Sequence, residues 1–312
     1  MIASQRKRLT LELGGTGRKF SALPYLFLLP MLVSFFVFNL VPVFWSFGLS
    51  FTNYNLISPA HFVGLANYRH ALLQSTLFWL AVRHTVWFVL AVPLGVTISL
   101  SAAFLVNALP WGQGLFRFIY YLPSALSSIA MGVLWAFLIS FGSHSILSQV
   151  MADIGFPRGL NFTGPNLFLA FVLFSGMLVG WGPGMVIFSA GLRGIDQQIY
   201  DAGKLDGATG LKATWHLTLP QLRLTFMYVV ITGMIGAFQV FESLFVIGSL
   251  GTGSQFGPLN SGLTLVPLIY EKAFSYLQFG YASAIAFVML AVIMVLTVIS
   301  MRLGQGGTAL GK

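Results

Sequence analysis

Seven acidic residues are spread over 312 positions, and Glu242 is the one that falls inside an otherwise apolar stretch, between Phe241 and the run Ser243, Leu244, Phe245. A carboxylate facing lipid is costly, so a bundle interior or a water-filled cavity is expected for it. There it could contact solute hydroxyls or line a passage, and an interhelical hydrogen bond or a gate is the alternative use. Trp181 lies in the run Gly180, Trp181, Gly182, Pro183, Gly184. Such a run can break regular helix packing and open local space beside an aromatic face, and a simple kink explains it as well. The other chemical candidates are poor. The five histidines contain no His-Glu-x-x-His arrangement, which disfavours a zinc enzyme. Zero cysteines exclude disulfides, thiolate metal sites, iron–sulfur clusters and a cysteine nucleophile. No serine is accompanied by a convincing base and orienting acid. The stretch 306–312 has Gly, four residues, Gly and Lys, but lacks the following Ser or Thr and the strand-to-helix setting of a phosphate loop. Asn161-Phe162-Thr163 matches a glycosylation sequon and reads as accidental.

One segment is polar where its neighbours are not. Residues 191–220 carry Arg193, Lys204 and Lys212 against Asp196, Asp201 and Asp206, interrupted by Ala202, Gly203, Gly207, Ala208 and Gly210. Asp196 can cap a short helix over 197–206, on which Ile199, Gly203 and Asp206 recur at near-helical spacing. Gly207 and Gly210 permit a bend before a second helical piece at 211–217, and Pro220 can open the next helix without losing an internal hydrogen bond. The residues leave two uses open: a projection that transmits force to a partner, or an amphipathic connector lying on its own bundle.

The elements that position these residues are membrane helices. Hydrophobic residues make up 57% of the chain and charged residues 7%, whereas a soluble domain spends roughly a quarter on charge. Most charge-free stretches exceed the roughly 20 residues that a helix needs to cross hydrocarbon. They predict six spans, at 23–47, 79–108, 116–141, 167–190, 223–249 and 279–301, the first being too long for a cleavable signal. The 30 Phe, 10 Tyr and 7 Trp are explained by default as packing and interfacial side chains. With the N-terminus inside, Arg6, Lys7, Arg8, Arg18, Lys19, Arg117, Arg193, Lys204, Lys212, Arg223, Arg302 and Lys312 are cytoplasmic, while Arg69, Arg158 and Lys272 are outside. That bias predicts both termini in the cytoplasm and assigns the net charge of +9 to loop placement rather than to nucleic-acid binding. The expected organisation is a cytoplasmic segment 1–22, a six-helix transmembrane bundle 23–301 containing the polar segment 191–222, and a cytoplasmic tail 302–312.

The polar segment resembles the cytoplasmic coupling motif of the carbohydrate-type permease subunits of bacterial ATP-binding-cassette importers. Tyr200, Asp201, Ala202, Gly203, Lys204, Leu205, Asp206, Gly207 and Ala208 carry the likeness, which continues through Leu217, Leu219 and Pro220. Asp201 stands for the usual Glu, Gly203 for the second Ala and Asp196 for the Pro common before this helix. The resemblance covers most of the chain. Leu23, Pro24, Tyr25 and Pro30 match the first span, and Phe62, Gly64, Leu65, Asn67 and Tyr68 an outer-loop signature. Phe116, Arg117, Tyr120, Tyr121, Leu122, Pro123 and Trp135 match the third span, and Trp181, Ala190, Gly191 and Leu192 the fourth. Phe241 and Glu242 match the fifth, and Ile269, Tyr270, Ala273, Phe274, Gly280 and Ala284 the approach to the sixth. Gly251-Thr252-Gly253 departs from the usual Gly-Gly-Pro.

The resemblance implies an all-α, six-helix transmembrane half of an importer in the bacterial inner membrane. Its partners would be a second homologous permease, two ATPase chains that hold ATP and magnesium, and an extracytoplasmic binding protein. This chain would hold no cofactor or metal of its own. The substrate would be a sugar, oligosaccharide, polyol or glycerol derivative. Ile199, Tyr200, Asp201, Ala202, Gly203, Leu205, Asp206, Gly207 and Ala208 would couple to the ATPase, with Trp181, Phe241 and Glu242 as candidates for the path. An ion-coupled carrier and a multipass membrane enzyme are the competing classes. The first lacks a second intramembrane charge to pair with Glu242, and the second lacks a polar catalytic cluster.

Overall fold

The computed structural model describes residues 23–305. The basic segment 1–22 and the stretch 306–312, with its phosphate-loop-like spacing, lie outside the described residues. The chain divides into two units, Met1–Gly48 and Leu49–Lys312. The first contains α1 (Leu23–Phe35), a π-helical turn (Phe36–Leu40) and most of α2 (Val41–Leu49). Pro42 has no N–H to bond to the carbonyl four residues back. The turn before it is wide, and the Val41 N–H reaches the carbonyl of Phe36 instead.

The second unit starts with a loop tied by side chains. The Asn67 amide donates to the carbonyls of Ser50 and Thr52, at 2.9 and 2.8 Å, and the hydroxyls of Tyr68 and Ser50 are 2.8 Å apart. Asn67 and Tyr68 lie on or beside the short helix α3 (Ala66–Arg69). An isolated antiparallel bridge between Thr52 and Phe62 is the β pairing found among the described residues. Ser75 then caps α4 (Thr76–Ala108), its hydroxyl accepting from the Phe78 N–H. With 33 residues, α4 is the longest helix of the described residues.

The predicted third span, 116–141, is not one straight helix. It is α5 (Gln113–Ala125) and α6 (Ser128–Ile139), which meet at 88°. Pro123 cannot continue the hydrogen-bond ladder, Leu126 is extended, and the Ser127 hydroxyl caps α6 through the Ala130 N–H. In the loop that follows, α7 (Ile146–Asp153) is capped by Ser145. Next comes α8 (Phe168–Arg193), close to the expected fourth span.

The predicted fifth span, 223–249, is also broken. The polar segment supplies α9 (Gln197–Leu205), α10 (Leu211–Ala213), a π turn (Thr214–Thr218) and α11 (Leu219–Gln221). The helical stretch Leu211–Gln221 meets α12 (Arg223–Phe238) at 70°. After α12 the helix unwinds at 239–241, and α13 (Glu242–Thr252) begins a new one. The carbonyl of Val240, released from the ladder, accepts the Thr264 hydroxyl at 3.3 Å. Two helices complete the unit, α14 (Leu265–Tyr270) and α15 (Phe279–Gln305). Among the described residues four helical stretches are long and apolar enough to cross a membrane, and the two bent pairs raise the total to as many as six.

Helices α4 and α8 run against each other, with α5 packed on α8, α12 on α4 and α15, and α6 on α13. Phe88, Phe168, Phe171, Leu244 and Ile247 form one buried apolar cluster, and Val96, Met185, Phe188 and Val229 another. Thr85 accepts from the Leu265 N–H at 3.0 Å, and His84 Nδ1 lies 3.0 Å from the Leu263 carbonyl, so the segment entering α14 is pinned to α4.

Candidate functional site

The polar segment forms a closed substructure. Asp196 accepts from the Gln198 N–H at 2.9 Å and starts α9. At the other end Gly207 takes φ +76°, the Ala208 N–H bonds to the Gly203 carbonyl at 2.8 Å, and the Gly207 N–H bonds to the Lys204 carbonyl at 3.1 Å. These two bonds are the reciprocal closure of a helix that ends on a left-handed glycine. The helix then folds back on the π turn Thr214–Thr218, where the hydroxyls of Tyr200 and Thr218 are 3.1 Å apart. Gly203 is buried in this contact, and a Cβ there would lie 2.4 Å from Cδ1 of Leu217. A smaller residue than the usual Ala therefore seats the helix closer to its neighbour.

The residues read as a coupling motif separate into two sets. Ile199, Tyr200, Gly203 and Ala208 are wholly or partly buried, while Asp201, Ala202, Leu205, Asp206 and Gly207 are exposed. Asp201 bonds to Lys204 at 2.9 Å, and this bond and the ammonium charge hold its carboxyl below the usual carboxylate range. Leu205 is 91% exposed, Leu211 79% and Trp215 67%. An isolated apolar side chain on a surface is ordinary, but three large ones on a folded-back polar segment make a surface suited to a protein partner. The motif reading missed Leu211 and Trp215. Their signal was present as bulky apolar residues in a run that otherwise alternates charge and glycine.

A cavity of about 400 Å³ lies between α4, α8 and α12, extending to Ser243 at the start of α13. Its walls include Val92, Ser99, Gly176, Gly180, Trp181, Thr232, Gly233 and Gly236. The glycines leave room, and the hydroxyls supply acceptor lone pairs, because the Ser99 and Thr232 protons are already donated to the carbonyls of Trp181 and Tyr228. Trp181 stands edge-on to Tyr120, with ring centroids 5.1 Å apart. It also borders a groove of about 610 Å³ along α4 and α8, which Trp87, Leu94, Phe174 and Met177 line as well. Gly182, one residue on, is buried against the backbone of α5, where a Cβ would lie 2.2 Å from the carbonyl oxygen of Tyr120. This close approach is what holds α5 against the Trp181 turn.

The structure places Trp181 on the cavity and places Phe241 and Glu242 elsewhere. Phe241 packs among Phe245, Phe256 and Tyr270, with ring centroids 5.7, 6.1 and 5.0 Å away. Glu242 is exposed on the surface of the chain rather than enclosed in its interior. The break at 239–241 accounts for both positions. It turns Val240 and Ser243 to the cavity, and it makes Glu242 the first residue of α13, where a helix N-terminus favours negative charge. No group of three His, Asp or Glu side chains that could hold a metal occurs among the described residues. The described geometry is a cavity with small and hydroxyl-bearing walls, and a folded-back polar segment that carries exposed apolar side chains.

Residues 95–305 match the model of the binding-protein-dependent transport system inner membrane component family, and the chain belongs to that family. It is a multi-pass inner-membrane permease component of ATP-binding-cassette transport. The chain is similar to the arabinooligosaccharides transport system permease protein AraP of Bacillus subtilis (strain 168), at 32% identity over 90% of this chain and 88% of the relative. It is also similar to the lactose transport system permease protein LacF of Rhizobium radiobacter, at 33% identity over 88% of this chain and 91% of the relative. The fold matches a chain of a bacterial ABC transporter that imports the acidic polysaccharide alginate, with a TM-score of 0.75, 20% identity, and coverage of 91% of this chain and 95% of that one.

Proposed function

We propose that the chain is one of two transmembrane halves of an importer for a sugar, oligosaccharide, polyol or glycerol derivative. In this reading a binding protein outside the membrane delivers the substrate, and two ATPase chains inside drive the cycle. The carbohydrate class is supported by the names of AraP and LacF, which specify arabinooligosaccharides and lactose. The observation that carries the mechanism is the projection α9–α11, whose α9 is capped at Asp196 and closed at Gly207 and which presents Leu205, Leu211 and Trp215 outward. An arm joined in sequence to α8 on one side and α12 on the other can pass a partner's motion to both walls of the cavity. ATP and magnesium belong to the ATPase, and this chain contributes the passage and the docking surface.

Glu242 supports the second half. An exposed carboxylate on an intramembrane half-helix is costly against lipid, so its surroundings are a second permease or a water-filled passage shared with one. The concentration of Lys and Arg in 1–22, 191–222 and 302–312, against Arg69, Arg158 and Lys272 in the other loops, supports cytoplasmic termini.

The test is co-expression with neighbouring chains, mild solubilisation and native mass spectrometry, followed by uptake in vesicles with the binding protein. Recovery with a second permease and two ATPase chains, and uptake that requires ATP, is the expected result. Recovery alone beside an intact control complex, or uptake driven by a proton or sodium gradient without the ATPase, would overturn the reading.

A further inference from the structure

Where α4 ends and α5 begins, two guanidiniums share one amide oxygen. Nη2 of Arg117 and Nη2 of Arg193 donate to Oε1 of Gln113 at 3.2 and 3.1 Å, and Arg117 also donates to Oδ1 of Asn107 at 2.5 Å. The Gln113 amide nitrogen is used on the carbonyls of Asn107 and Leu109. Nε of Arg117 and Nδ2 of Asn107 are buried without a partner. Among the described residues neither arginine has a carboxylate within ion-pair distance. The cluster therefore has donors in excess, two like charges brought together, and no acceptor beyond two side-chain amide oxygens and two backbone carbonyls. What it lacks is an anionic acceptor.

The rim of the cluster indicates the source of that anion. Trp111 is 80% exposed, Leu115 59% and Phe118 61%, all within the same turn and first two helical turns that hold Gln113 and Arg117. A free phosphate or an acidic side chain would gain nothing from these groups, whereas a phospholipid would fill both requirements. Its phosphate reaches Arg193 and the outer nitrogens of Arg117, while its acyl chains cover the tryptophan, leucine and phenylalanine. We infer that Asn107, Gln113, Arg117 and Arg193 form a binding site for the headgroup of an anionic phospholipid, with Trp111 at its apolar edge. The site would tie the start of α5 to the end of α8, one residue before α9 is approached through Gly194. It rests on the proposed inner placement of this end of the bundle, which puts it in the cytoplasmic leaflet.

The test uses the full chain with whatever partner chains accompany it, released from bilayers of mixed phosphatidylglycerol and phosphatidylcholine into native mass spectrometry. Wild type should retain phosphatidylglycerol preferentially. Arg193→Gln, at an exposed position that leaves the fold intact, should weaken retention about fivefold, and Arg117→Gln with Arg193→Gln about twenty-five-fold. Trp111→Ala should also lower retention without a change of charge. Arg158→Gln, which removes the same charge from another loop, should have no effect. Equal retention in wild type and Arg193→Gln overturns the inference. Loss of ATPase chains with lipid unchanged assigns the arginines to a protein partner and overturns it too. Thermal stabilisation by inorganic phosphate equal to that by phosphatidylglycerol assigns the site to a free anion, with the same consequence. The partner-chain masses report on the importer reading separately, so each can fail alone.

Discussion

Gly180 and Gly182 are two residues apart on the same helix, and the structure predicts opposite outcomes for the same substitution. A Cβ at Gly182 would lie 2.2 Å from the backbone oxygen of Tyr120, 3.0 Å from its carbonyl carbon and 3.2 Å from Cα of Tyr121. Carbon–oxygen contacts settle at about 3.3–3.6 Å, so α5 and α8 must separate by about 1 Å. The obstacle is backbone and cannot rotate away, which puts the overpacking cost near the top of its usual range, about 3 kcal/mol. Alanine returns about 1 kcal/mol through helix propensity, so Gly182→Ala should be about 2 kcal/mol less stable than wild type. At Gly180 a Cβ would meet nothing within 4 Å and would point into open space beside the cavity. Gly180→Ala should therefore be neutral, or more stable by up to about 1 kcal/mol. Reversible unfolding in mixed micelles measures both. A Gly182→Ala variant as stable as wild type, or two variants destabilised alike, would refute the assigned contact between α5 and α8. Gly180→Phe in the folded protein should lower uptake through occupancy of the cavity, and undiminished transport would remove that cavity from the path.

Asp196→Ala removes the cap of α9 and should cost about 1 kcal/mol locally, seen as faster amide exchange over 197–205 with the membrane helices unchanged. Uniform exchange across the segment in wild type and variant would contradict the cap's role. Leu205→Asp and Trp215→Asp change exposed side chains, so the permease should fold while ATPase chains are lost from the purified complex, and normal retention would exclude this surface as the dock. Glu242→Gln should leave the fold intact and reduce transport, whereas unchanged rate and substrate affinity would remove it from the path.

Much of the architecture could be read in the residues, because transfer from water to lipid is a sum over a stretch. Charge-free runs located α4, α8 and α15, and a polar run flanked by apolar ones located α9 with its Asp196 cap and Gly207 closure. These are local signals. Asp196 acts on a neighbour two residues away, and the left-handed conformation at Gly207 needs no distant partner. The family likeness was legible for the same reason, since it rests on short strings of side chains.

The breaks in the third and fifth spans were not legible as hydropathy, which counts apolar surface and is blind to direction. Pro123 and the capping Ser127 are a recognisable signal for the first break in hindsight. The second depends on Thr264, 24 residues further on, whose hydroxyl serves the carbonyl of Val240. Only tertiary structure could therefore place Glu242 at the head of a half-helix instead of the middle of a whole one, and Phe241 in an aromatic cluster rather than on the wall of the cavity. The cavity is of the same kind. Gly176, Gly180, Gly233 and Gly236 are unremarkable in their own helices, and they become a space because α4, α8 and α12 are packed with those faces together. Sequence alone determined that this chain crosses the membrane and carries a polar arm between α8 and α12. Which side chains meet inside it was decided by helix packing, because a void and a shared hydrogen bond are properties of pairs that no single stretch contains.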